Sequence, residues 1–194
     1  MRVIFDRITC MNITVYLGAS EGNSPHILEA AREFGAWIGD SGNSLVYGGS
    51  RVGLMGELAL SAVEHGAYVV GIEPCFFVKQ FLQLDDCADL IVTDNMQQRK
   101  ALMIEKGDAF VAFPGGTGTL EEISEIMSMV SLKHTDAPCI LFNLDGYYNP
   151  LKEMLAKMIE AGFSTEERQE GIFWPETLEE LKDILERYFL QPIE

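Results

Sequence analysis

Short runs of β-branched and aromatic residues at 13–17, 44–47, 68–72, 90–93, 109–113 and 139–142 alternate with helix-length segments. Those segments lie at 25–41, 54–65, 96–106, 119–132, 149–161 and 176–189. Strand, helix and strand repeated in this way predict right-handed crossovers and a parallel sheet covered on both faces. The expected fold class is therefore α/β: a doubly wound, Rossmann-like parallel sheet with helices on both faces. No repeat, low-complexity segment or Pro/Gly/Ser linker divides residues 1–194, so a single nucleotide-binding domain is expected.

Composition narrows the ligand. A chain of 194 residues that is 47% hydrophobic can bury a substantial core, while a formal charge of -16 repels nucleic acid and anionic lipid surfaces. Any anionic partner must be small and locally compensated. No apolar run approaches the roughly 18 residues of a membrane helix. Asp6 and Arg7 interrupt what would have to be the apolar part of a signal peptide, so a cytoplasmic protein is expected. Met11 offers a second start, which would make residues 1–12 an N-terminal extension. Cys10, Cys75, Cys87 and Cys139 form no C-x-x-C pair, and His26, His65 and His134 show no ligand spacing. Reduced thiols and no metal are expected.

Ligands of doubly wound sheets bind beyond the carboxyl ends of the strands, and three loops there are rich in glycine. In the first, at 18–25, Ser20 and the small residues around it can hold a phosphate or ribose. Equally, Ser24 can cap the next helix while the glycines make the turn. In the second, Gly48, Gly49, Gly53 and Gly56 permit positive φ and let backbone amides approach a ligand. Their spacing is not G-x-G-x-x-G, which argues against a nicotinamide cofactor. Close helix packing is the structural alternative for Gly53 and Gly56.

The third loop is the most specific. An apolar strand at 109–113 is followed by Pro114, Gly115, Gly116, Thr117 and Gly118, and a helix is expected to begin at Thr119. Amides from Gly115 to Thr119 would converge at a helix N-terminus, where unsatisfied donors and the helix dipole favour an anion. Thr119 adds a hydroxyl. No lysine follows the last glycine, so this is not a Walker A loop. Glu122 lies three residues after Thr119 on the face nearest the anion, whereas Glu121 points roughly 100° away. Acidic residues also favour a first helical turn for the dipole alone. Leu120, Ile123, Met127 and Val130 repeat at helical spacing as a buried stripe. Upstream, Asp94 or Asn95 can cap a helix whose first turns carry Arg99 and Lys100. Cations at that end oppose the dipole, so they either face an anion or form a solvated surface pair.

Three motifs together carry a resemblance: residues 47–56, the string Met96, Gln97, Gln98, Arg99 and Lys100, and the P-G-G-x-G-T-x-x-E element from Pro114 to Glu122. They resemble the LONELY GUY (LOG) family of cytokinin riboside 5′-monophosphate phosphoribohydrolases, over residues 13–189. The resemblance also takes in Gly18, Ala19 and Ser20 and the string from Asn143 to Tyr148. It implies that Arg99 and Glu122 are the catalytic pair. It further implies that Lys100 and the turn Gly116, Thr117, Gly118, Thr119, Leu120, Glu121 and Glu122 meet the substrate, with Met96 in the same motif and Ser128 at another contact position. Gln97 stands where the family usually has histidine, Ser50 replaces a third glycine, Glu73 replaces an apolar residue before Pro74, and 76–84 lacks a glutamate, with Gln80 or Phe81 nearby. These departures bear on selection of the base.

The implied reaction is hydrolysis of the N-glycosidic bond of an adenine-type nucleoside 5′-monophosphate, AMP or a cytokinin riboside monophosphate, to free base and ribose 5-phosphate. Glu122 would stabilise oxocarbenium character at C1′ and activate water, and Arg99, permanently protonated, would position. The family's old lysine decarboxylase label finds no support, because pyridoxal chemistry needs a Schiff-base lysine with a phosphate cup. No cofactor is expected. The resemblance also implies a homodimer. Competing expectations are a non-catalytic nucleotide or molybdenum-cofactor carrier of similar fold, and a broad nucleoside monophosphate nucleosidase.

Overall fold

The computed structural model describes residues 10–78 and 89–190. The strands are β1 (Asn12–Tyr16), β2 (Ser44–Tyr47), β3 (Tyr68–Pro74), β4 (Asp89–Thr93), β5 (Ala109–Ala112), β6 (Cys139–Leu141) and β7 (Ile172–Phe173). They form one parallel sheet in the order β4-β3-β2-β1-β5-β6-β7. The chain winds outward from β1 to β4, then returns to lay β5 on the other side of β1. That reversal is the topological switch point, and the carboxyl ends of β1 and β5 open a crevice there.

Helices α1 (Pro25–Asp40), α2 (Gly53–Glu64) and α8 (Leu178–Leu190) cover one face of the sheet. The helices α4 (Met96–Lys106), α5 (Thr117–Ser131) and α6 (Asn149–Glu160) cover the other. Successive strand residues point to opposite faces, so Val111 and Phe113 join the first layer with Phe34 and Leu58, while Phe110 and Ala112 join Ile123 and Met127. Short helices α3 (Cys75–Val78) and α7 (Glu166–Gln169) complete the set. Among the described residues no helix is long and apolar enough to cross a membrane.

Three details differ from the sequence pattern. The edge strand β7 and the one-turn helices α3 and α7 are too short to show a period. Helix α5 begins at Thr117 rather than Thr119, because Gly116 provides the extended N-cap and accepts the amide of Leu120 at 3.1 Å. Leu120 is 43% exposed, and Ile126 takes its place in the buried stripe. At the N-terminus, Met11 is buried and donates its amide to Asn43 Oδ1 at 2.9 Å, and Asn12 already pairs in β1. Residues 1–9 of the expected extension, Cys87, and Gln80 and Phe81 lie outside the described residues.

Glycine lets α1 and α2 cross at close range. A Cβ on Gly35 would sit 2.4 Å from the Leu58 carbonyl oxygen, and one on Gly39 would sit 2.6 Å from that of His65. Both clashes are with backbone, which cannot rotate aside. Gly35→Ala is therefore expected to cost about 2 kcal/mol and to lower the melting temperature by about 6 °C. Thermal denaturation of the variant beside the wild type measures it.

Candidate active site

At the crevice, β5 ends against a pinned turn. Phe113 is fully buried, stacks on Phe34 at 5.4 Å and donates its amide to the Tyr16 carbonyl at 2.9 Å. Two adjacent tyrosines hold the carbonyls on either side of Pro114: the Tyr148 hydroxyl donates to Phe113 O at 2.7 Å and the Tyr147 hydroxyl to Gly115 O at 2.5 Å. Buried Asn143 sets up that pair by accepting the Tyr148 amide at 2.7 Å and donating to Asn149 Oδ1 at 2.9 Å. With the carbonyls tied back, the turn offers its amides. Gly116 caps α5 without a side chain, so among the described residues no side chain caps the donors at the helix start. At Gly115 a Cβ would come within 2.2 Å of the Thr119 hydroxyl and 3.0 Å of the Gly18 amide, so glycine is what lets the loops after β1 and β5 touch.

Arg99 reaches the same place from α4. Asn95 caps that helix by accepting the Gln98 amide at 2.9 Å, which puts Arg99 in the first turn. Although this end of the helix disfavours a cation, Arg99 is only 7% exposed. It is held by donating Nε to the Ile72 carbonyl at 2.9 Å and Nη1 to Glu122 Oε1. Gly48 makes room above it, since a Cβ there would sit 2.4 Å from Nη2. Glu122, 8% exposed, sits one turn beyond the amides that open α5. Burial lifts its carboxyl above the usual carboxylate range, and the Arg99 guanidinium opposes that lift.

These groups border a cleft of about 910 Å³, large enough for a nucleotide-sized ligand. Of the residues singled out in the sequence, Ser20, Gly48, Met96, Arg99, Gly115, Gly116, Thr117, Gly118, Thr119 and Glu122 line it. Others lie elsewhere. Gly49 adopts φ 84° and packs against Glu73, 2.9 Å from where its Cβ would be. Lys100 pairs with Glu121 and, at 3.1 Å, with Glu125 in a separate shallow depression beside Gln97 and Ala101, which Met96 also borders. Exposed Ser128 donates to the Ser124 carbonyl at 2.9 Å. The cleft also has an apolar wall: Leu54 and Met55 come from the motif at residues 47–56 and Tyr147 from the string Asn143 to Tyr148, while Ile27, Phe77 and Met103 were not singled out in the sequence.

A family model described as possible lysine decarboxylase matches residues 55–186. A cytokinin riboside 5′-monophosphate phosphoribohydrolase of Arabidopsis thaliana is 37% identical over 176 residues, 91% of this chain and 82% of that protein. One from Rhodococcoides fascians is 41% identical over 164 residues, 82% of this chain and 81% of that protein. Among solved structures, the molybdenum cofactor binding protein of Rippkaea orientalis superposes with a TM-score of 0.68 at 21% identity. It covers 91% of this chain and 96% of its own, a likeness of fold.

Removing one partner of the buried pair exposes its energetics. Arg99→Met leaves Glu122 buried without its cation and is expected to cost about 3 kcal/mol near neutral pH. The variant's Glu122 has a folded pKa raised further above its unfolded value, so stability is retained below the unfolded value and lost as pH rises through the folded one. The melting deficit should therefore be larger at pH 8 than at pH 4, as differential scanning fluorimetry across pH would register.

Proposed function

Because the chain belongs to the LOG family of cytokinin riboside 5′-monophosphate phosphoribohydrolases, we propose that it hydrolyses the N-glycosidic bond of an adenine-type nucleoside 5′-monophosphate. The products are the free base and ribose 5-phosphate. The observation that carries this reading is the placement of a buried carboxylate and its guanidinium one helical turn from a set of uncapped helix-start amides, all on one cleft.

The phosphate seats on the amides of Thr117, Gly118 and Thr119, where donors and dipole act together. The ribose then lies toward Glu122 and the base along the apolar wall of Leu54, Met55, Phe77 and Met103. Three of the wall and rim side chains, Met55, Met96 and Met103, are unbranched thioethers that adapt to a base with or without an apolar N6 substituent. As the C1′–N bond lengthens, C1′ gains positive charge. Glu122 stabilises that charge and takes a proton from the attacking water as its oxygen bonds to C1′, a task suited to a carboxyl raised above the usual range, while the base leaves with the C1′–N electron pair and is protonated from solvent. Arg99 keeps its proton throughout and fixes the carboxylate's orientation.

We further propose that the protein acts in the cytoplasm as a homodimer. The exposed apolar residues Met96 and Leu120, at the starts of α4 and α5, support an assembly surface beside the Lys100 depression.

Incubation with AMP and with N6-isopentenyladenosine monophosphate, following free base by chromatography, tests the reading. The wild type is expected to release base from at least one of them, with Glu122→Gln slower by about a thousandfold in kcat and little changed in KM. No base from either monophosphate would reject the activity. Equal rates in wild type and Glu122→Gln would reject the assigned carboxylate.

A further inference from the structure

A second carboxylate lies behind the pair. Glu73, near the carboxyl end of β3, is 2% exposed, and its Oε2 has no hydrogen-bond partner among the described residues. An ionised carboxylate left this way is costly, so its presence needs a compensating charge. Arg99 supplies it: the guanidinium's Nε is bonded to the carbonyl of Ile72, the residue immediately before Glu73, and its charge acts on the Glu73 carboxyl. The loop after β2 closes over both groups. Gly48 leaves room for Arg99 Nη2, and Gly49 turns at φ 84° with no Cβ where one would lie 2.9 Å from Glu73 Cβ.

We propose that Glu73 is a positioning residue for the catalytic pair, its buried carboxyl acting through space on the same Arg99 guanidinium that Glu122 bonds. The inference rests on the hydrolase reading above. Among the described residues, the charge that acts on Glu73 comes from Arg99 on α4; the loop after β2 presents Gly49, β4 presents Val92 in register with it, and β2 presents the buried phenol of Tyr47 against Gly71 on the same face. Burial lifts the Glu73 carboxyl to about 6 against the pull of Arg99. Above that pH an ionised Glu73 draws on the guanidinium and leaves Glu122 less stabilised as an anion. Below it, the guanidinium serves Glu122 alone.

The test compares wild type with Glu73→Gln, which keeps shape and removes the charge. Glu73 does not line the cleft, so the variant should hydrolyse within tenfold of wild type at the optimum. With Arg99 committed to Glu122, the acid limb of its kcat/KM profile should move to lower pH by about half a unit. A second readout needs no substrate. A carboxyl with a raised folded pKa contributes stability below its unfolded value of about 4.5 that is lost as pH rises through about 6. The melting advantage of Glu73→Gln over wild type should therefore grow by about 4 °C between pH 4.5 and pH 7.5. Coincident acid limbs, or a melting difference independent of pH, would overturn the proposal. Failure of the wild type to release base would instead reject the hydrolase reading and leave the melting comparison to decide whether Glu73 titrates.

Discussion

The ion pair between Arg99 and Glu122 is the constraint around which the crevice is organised. Neither group is stable there alone: a buried guanidinium at the unfavourable end of α4 and a buried carboxylate on α5 are each costly, and each is made tenable by the other. Holding them together requires α4 and α5 to converge on the same sheet edge from the same face. The strand order delivers that, since α4 leads into β5 and α5 leads out of it at the switch point. The surrounding glycines follow from the same requirement. Gly48 and Gly115 are the positions where a methyl group would strike Arg99 and Thr119, so the loops can close on the pair only without side chains.

An acidic protein that handles an acidic ligand must separate the two. Here the separation is local. The proposed anion site uses backbone donors of α5 and not surface lysines, and Lys100, the cation nearest in sequence, is already engaged by Glu121 and Glu125. On the proposed reading, the phosphate-binding end of the cleft relies on fixed dipoles, which do not depend on pH, while the chemical end relies on a carboxylate, which does.

The alternation of strands and helices made the sheet, its parallel sense and most element positions readable, because each of those segments is long enough to show a period. The strand β7, at two residues, carried no such signal. At the site, Arg99, Glu122 and the turn from Gly115 to Thr119 were legible because their spacing is set by local helix geometry and falls within single motifs. Most of the apolar wall was not, since Ile27, Phe77 and Met103 come from three separate elements and meet Leu54 and Met55 only through the fold. Glu73 showed the same limit from the other direction. Its sequence oddity was visible as an acid before Pro74, but that Arg99 bonds the carbonyl of the preceding Ile72 and that the Glu73 carboxyl is buried emerge only when β3 and α4 are packed.

The chemistry depends on placement: phosphate on the start of α5, C1′ against the side chain of Glu122. A crystal structure of Glu122→Gln with AMP bound tests it most directly, because the slowed variant holds intact substrate. The expected result is phosphate oxygens within about 3 Å of the amides of Thr117 to Thr119, with C1′ facing the carboxamide introduced at position 122 and the base against Met55 and Phe77. A phosphate seated instead on Lys100, or a ribose turned away from position 122, would contradict it.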